Sequence, residues 1–172
     1  MDLLRSGLLL MFVVAARAQE PTEFAVKGAY LAKFGDYVEW PAAARPGPGA
    51  PFVIGILGED PFGPQLDQFI HQRTIQGHPV HLRRIREVDQ IHQVQVLYVG
   101  GLESWRWEAL REELRGRSIL TVGEPGGRAG AVITFVVVQG KVRFEIDRAA
   151  AERAELKLSS KLLALAVKRG AG

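Results

Sequence analysis

The sequence predicts an α/β fold: a single domain with a mostly parallel central sheet covered by helices on both faces, followed by a C-terminal antiparallel hairpin and helices. Three observations carry that prediction. Strand-like and helix-like segments alternate through the first two thirds of the chain, the pattern of a parallel, helix-covered sheet. Two apolar runs then flank Gln139-Gly140, the spacing of a tight antiparallel turn. Finally, 172 residues suit one domain, 47% apolar content is enough for a core, and no internal repeat or low-complexity tract interrupts it.

The chain opens on a secretory pattern. Arg5 precedes an apolar stretch over 8–16, Ala16-Arg17-Ala18 forms a small-x-small cleavage site, and no acidic residue lies between Asp2 and Glu20. The stretch is too short to span a bilayer as a helix. We therefore expect residues 1–18 to be a signal peptide and 19–172 the mature domain, with no membrane insertion after cleavage. The chain contains no cysteine, so neither a lipid anchor at such a residue nor a disulfide can form. Removing the leader takes away Asp2, Arg5 and Arg17, leaving 20 basic and 18 acidic residues. So small a positive charge is poor support for nucleic-acid binding, export argues against it further, and Arg83, Arg84 and Arg86 read as a solvated face.

Residues 24–38 carry apolar side chains at helical spacing: Leu31, Phe34 and Val38; Val26, Tyr30 and Phe34. Only Glu23, Lys27, Lys33 and Asp36 give this helix a polar side, so one face must be buried and the other can meet a partner. Pro41 disfavours helical geometry at Trp40 and places the helix end at Tyr37-Val38-Glu39-Trp40-Pro41. An exposed loop over 42–51 follows, rich in Ala, Pro and Gly. Strands are expected at 52–57, 78–82, 94–99 and 119–122. A helix over 61–71 turns Phe62, Leu66, Phe69 and Ile70 inward, with Pro61 in its first turn. A helix over 103–115 places Trp107, Leu110 and Leu114 on one face and leaves Trp105 exposed. The turn at Gln139-Gly140 joins strands 132–138 and 141–146, Asp147 caps a short helix to 154, and Ser159 caps a last one to 167.

Each catalytic reading that such a pattern invites meets a mismatch. A dinucleotide site needs Gly-x-Gly-x-x-Gly after the first strand. Here the turn is Gly58-Glu59-Asp60-Pro61-Phe62-Gly63, whose carboxylates would repel a pyrophosphate, and Asp60 reads as a helix cap. No phosphate loop ends in Gly-Lys-Ser/Thr. The strand over 94–99 runs into Gly100-Gly101-Leu102, without the terminal aspartate of a phosphoacceptor. His71, His78, His81 and His92 lack the spacing of metal ligands. Ser159-Ser160-Lys161 lacks a Ser-x-x-Lys spacing, and Glu145 and Asp147 share a strand face but are explained by the capping role of Asp147. We expect a binding module: no enzyme, no cofactor and no metal.

Several separated motifs coincide in order along the mature chain. They are Val26-Lys27-Gly28-Ala29-Tyr30-Leu31, Lys33-Phe34, Tyr37-Val38-Glu39-Trp40-Pro41 and Ile54-Gly55-Ile56-Leu57-Gly58-Glu59-Asp60-Pro61-Phe62-Gly63. Further on come Ile119-Leu120-Thr121-Val122-Gly123-Glu124, Gly130-Ala131-Val132-Ile133-Thr134-Phe135, Val142-Arg143-Phe144-Glu145-Ile146-Asp147 and Leu156-Lys157-Leu158-Ser159-Ser160-Lys161-Leu162-Leu163. In this set the chain resembles the YfiR family of exported bacterial proteins. The resemblance implies a periplasmic regulator that binds the periplasmic domain of an inner-membrane diguanylate cyclase and holds it inactive. It also implies release by an outer-membrane lipoprotein, a consequent rise in cyclic di-GMP and biofilm formation, and a homodimer that performs no chemistry itself. Inhibition of this kind is a population shift, since the regulator must prefer the cyclase's inactive conformation.

Tyr30, Tyr37, Trp40, Trp105, Phe144 and Glu145 are the expected partner or dimer contacts, because Tyr and Trp suit surfaces that are wet at one end. Phe34 and Ile146 are expected in the core. The alternative reading is a periplasmic small-ligand sensor for a transporter or sensor kinase, with a pocket at the carboxyl ends of the parallel strands. The chain departs from the family in three places. It lacks the cysteines of some members, which excludes redox gating; Asp147 stands where many have asparagine; and Glu155 replaces a common glycine. A left-handed helix end is strained with Glu, so a different local turn is expected there.

Overall fold

The structure, a computed structural model, describes residues 21–125 and 130–168. The expected signal peptide lies outside the described residues. In chain order the elements are α1 (Glu23–Phe34), β1 (Val38–Glu39), β2 (Phe52–Gly58), α2 (Pro64–Ile70), β3 (Thr74–Ile75), β4 (His78–Ile85), β5 (Val96–Gly100), α3 (Ser104–Glu113), β6 (Leu120–Gly123), β7 (Ile133–Val138), β8 (Lys141–Ile146), α4 (Arg148–Arg153), β9 (Lys157–Leu158) and α5 (Ser160–Leu165).

Thr22 starts α1 by accepting the Ala25 N–H at its hydroxyl, 3.2 Å away. The helix ends at Phe34, four residues before the expected end at Val38. Gly35–Tyr37 tighten into a 3-10 turn and Val38–Glu39 become strand. Gly35 is a poor helix former, and Val38 and Glu39 gain an antiparallel partner in Leu158 and Lys157 of β9.

Seven strands form one sheet in the order β3-β4-β2-β5-β6-β7-β8. The pairs from β4 through β7 are parallel, whereas β3 and β8 pair antiparallel at the two edges. The two-residue period of the strands divides the core. Ile54, Ile56, Val96 and Tyr98 join Leu31 and Phe34 of α1, while Val53, Leu57, Leu97 and Val99 join Trp107 and Leu110 of α3. Strands buried on both sides read as the continuous apolar runs that the sequence shows at β2 and β5.

The same dipeptide closes both antiparallel edges. Gln76-Gly77 between β3 and β4, and Gln139-Gly140 between β7 and β8, each have positive φ at both residues, the mirror-image turn that suits strand twist. The outer edge of β8 is blocked in two ways. The Arg143 guanidinium donates to the Val142 carbonyl at 3.1 Å, and Val167 N–H donates to the Phe144 carbonyl at 2.9 Å.

Two local expectations are corrected around α2. Asp60 accepts the Phe62 and Gly63 N–H groups at 2.9 and 3.3 Å in a turn ahead of the helix, so it is not the cap of α2, which begins with Pro64. A helix of only seven residues directs Leu66 and Ile70 inward at i,i+4 spacing, and Phe69 is exposed rather than buried.

Asp147 and Ser159 do cap α4 and α5, accepting from Ala150 N at 2.9 Å and Leu162 N at 3.2 Å. The α4 end keeps the left-handed geometry that Glu155 was expected to disturb. Glu155 has φ of 55°, its N–H donates to the Glu152 carbonyl, and Leu156 N–H donates to the Ala151 carbonyl. This is the doubly hydrogen-bonded helix stop that normally selects glycine, completed by burial of Leu156 beside Ala151. Glu155→Gly is expected to raise stability by about 1 kcal/mol or less, since the relief of the left-handed strain is offset by glycine's larger unfolded entropy. Chemical denaturation of the two proteins measures it, and a loss of stability would refute the strain.

Candidate interaction surface

The carboxyl-terminal half of α1 lies on an aromatic cluster. Tyr30 stacks on Phe34 with centroids 6.1 Å apart and meets the edge of Phe144 at 5.5 Å. Phe34 in turn contacts Phe135 and Phe144 at 5.8 and 5.3 Å. Tyr30 is half-buried, because its outer side lines a groove of about 320 Å³ between α1 and the β7–β8 strands. Val26, Val137, Val142 and Arg143 line the same groove. Val137 is 52% exposed and its neighbour Val138 is 43% exposed, so an apolar strip continues outward from Tyr30.

The amino-terminal half of α1 is held by charge. Lys27, read from the sequence as polar relief, is 3% exposed. Its ammonium contacts Glu124, at the end of β6, at 2.7 Å and Glu23, one turn back, at 2.5 Å. Tyr98 donates its hydroxyl proton to the other Glu124 oxygen at 3.0 Å. Burial alone pulls the Lys27 pKa down, but the hydrogen bonds and attraction of Glu124 and Glu23 outweigh it and hold the pKa above the ordinary lysine value. The ammonium therefore stays charged and acts as a clamp between α1 and the carboxyl end of the sheet.

The six expected contact residues do not form one patch. Tyr30 and Phe144 touch, but Phe144 is 1% exposed and belongs to the core, which corrects the expectation of a contact there. Trp40 is corrected likewise. It is 2% exposed and meets Phe52 edge-on at 5.3 Å, because strand β1 turns it under the sheet instead of ending a helix at the surface. Tyr37 is half-buried, and its carbonyl accepts the Ser159 N–H where β1 meets β9. Glu145 is half-buried opposite Thr134 on β7 and bridges Val167. Trp105 is 66% exposed on α3, with its indole N–H donating to Glu103 at 2.8 Å. Sequence reasoning missed Val137 and Val138 as surface residues. The signal was the unbroken run Phe135-Val136-Val137-Val138, whose alternation fails in a strand next to the sheet edge.

The carboxyl ends of the strands give little room for a ligand. Strand order reverses between β2 and β5, where such folds usually open a crevice. Here Glu59 N–H donates to the Gly100 carbonyl at 3.1 Å, and a Cβ on Gly58 would stand 2.1 Å from that oxygen. Beside this seam a cleft of about 270 Å³ is lined by Leu57, Ile85 and Leu102. A larger cleft of about 650 Å³ opens at the opposite, amino ends. No helix among the described residues is long and apolar enough to cross a membrane.

A mixed α/β domain with a mostly parallel sheet, its first helix clamped by a buried charge and bordered by a groove of mixed apolar and charged lining, is the class of protein that the fold and surface define. Within it, this chain belongs to the YfiR/HmsC-like family, whose model matches residues 24–167. That family is one of periplasmic regulators in cyclic di-GMP signalling. No curated protein matches the chain.

Proposed function

We propose that this chain is an exported repressor that binds the periplasmic domain of an inner-membrane diguanylate cyclase, holds it inactive, and so lowers cyclic di-GMP and biofilm formation. The observation that carries the reading is the family match, which spans α1 through the end of α5. The exposed strip from Tyr30 to Val137 supports it as the partner surface, with Tyr37, Trp105 and Glu145 as further contacts. The repressor acts as a homodimer, performs no chemistry, and is sequestered by an outer-membrane lipoprotein when the cyclase is released. Moving a two-state cyclase from 99% active to 99% inactive takes about a 10⁴-fold preference for the inactive conformation. The uncharged pair Tyr30 and Val137 can be covered without desolvating a charge, while Glu23, Lys141 and Arg143 at the same groove are available for charge pairing with the partner.

The test is co-purification with a cognate cyclase's periplasmic domain, together with cyclic di-GMP measured after deletion of the gene. Loss of the gene should raise cyclic di-GMP. Val137→Lys, a change at an exposed position, should leave the melting temperature in place and weaken the complex about tenfold or more. Unchanged cyclic di-GMP and no complex would sink the reading, and full binding by the Val137 variant would remove the groove from the interface.

A further inference from the structure

A cleft of about 650 Å³ lies at the amino ends of β2, β5 and β6, within the usual range for small-molecule sites. Its walls are apolar where Val53, Ile91, Val94 and Ile119 line it. Its frame is rigid. Gln95, 4% exposed, accepts the Val53 N–H at 2.8 Å and donates to the Ala44 carbonyl at 3.3 Å, which ties the 41–50 loop to the sheet.

Three guanidinium groups line this cleft, from Arg45, Arg83 and Arg117, against a single lining carboxylate, Glu155. Each is oriented by a backbone carbonyl. Arg45 donates to Trp40 O at 2.9 Å, Arg83 to His92 O at 2.6 Å and Arg117 to Ile91 O at 2.8 Å. Arg117 also pairs with Glu113 at 2.6 Å, whereas Arg45 and Arg83 have no carboxylate partner among the described residues. The acceptors of Arg83 and Arg117 belong to consecutive residues, whose Cα atoms are about 3.8 Å apart. Each guanidinium group has five N–H donors, so donors are left over beyond these bonds.

We infer that this cleft binds a small organic oxyanion, a carboxylate or phosphate monoester carrying an apolar body. The head group takes the spare N–H donors of Arg83 and Arg45, while the body lies on Val53, Ile91 and Ile119. This site is separate from the groove beside Tyr30 and does not rest on the cyclase reading.

The test is calorimetric titration of the mature protein with benzoate, phenyl phosphate and the neutral benzyl alcohol. At least one anion should bind about tenfold or more tightly than benzyl alcohol, and Arg83→Gln and Arg45→Gln should each weaken it about tenfold, the worth of a charge-assisted hydrogen bond. Which anion binds more tightly assigns the head group. Both variants alter side chains that are at least partly exposed, and their circular dichroism melts should match the parent. Anions that bind no better than benzyl alcohol would overturn the proposal, as would undiminished affinity in both arginine variants.

Discussion

Lys27→Ala is expected to destabilise the fold by about 3 kcal/mol, read as a fall in the denaturation midpoint. Removing one partner of a buried ion pair typically costs roughly 3–5 kcal/mol, because the other charge is left without compensation. The lower end applies because Glu124 keeps 20% of its side-chain surface in water and Glu23 keeps 47%. Lys27→Met combined with Glu124→Gln should recover part of the loss, since an apolar stem and a neutral amide need no counter-charge. The clamp also has a pH signature. A lysine whose pKa is raised by folding contributes stability that is complete below its unfolded value, near 10.4, and disappears as pH rises through the folded value. The difference in stability between parent and Lys27→Met should therefore be flat from neutral pH to about pH 10 and shrink above it. A loss under about 1 kcal/mol for Lys27→Ala, the range of exposed pairs, would show that the ammonium clamps nothing.

Trp40→Ala is expected to cost about 3–5 kcal/mol, the usual range for emptying a buried aromatic site. Trp40 is almost fully enclosed and its indole N–H has no hydrogen-bond partner among the described residues, so its value lies in packing against Phe52. Trp40→Phe should therefore cost much less, since it keeps an aromatic ring at the site and removes a buried, unpaired donor. Partner binding separates the two accounts of this residue. If Trp40 serves the core, Trp40→Phe binds normally and Trp40→Ala loses binding only as it unfolds. A folded Trp40→Phe protein with weakened association would restore a contact role.

Much of the fold could be read from local pattern. The strands at β2 and β5 and the helix α3 announce themselves through short apolar runs, helical spacing and glycine punctuation. The end of α1 could not be read that way, because Val38 and Glu39 are strand only through Leu158 and Lys157, more than a hundred residues later in the chain. Lys27 was illegible for the same reason. A lysine in an apolar helix suggests a solvated side, and its burial depends on Glu124, 97 positions away. The short strand β3 left a trace that went unread, since Gln76-Gly77 repeats the Gln-Gly pair at 139–140. Among the aromatic residues, the general preference of Tyr and Trp for half-wet surfaces described Tyr30 and Trp105 but not Trp40. Which side of a strand a residue occupies is decided by packing, and composition carries no record of it.

The pairing of β1 with β9, and of Tyr30 and Phe34 with Phe144, also orders events in time. The first helix has one set of packing partners close by, in β2 and α2, and a second set near the end of the chain. Closing so long a loop is slow compared with closing the short one to α2, so the contacts of α1 and β1 with residues 133–158 form after those with α2. Completing them is then the late step of folding. Variants of Phe34 or Val38 should mainly speed unfolding and leave the folding rate almost unchanged.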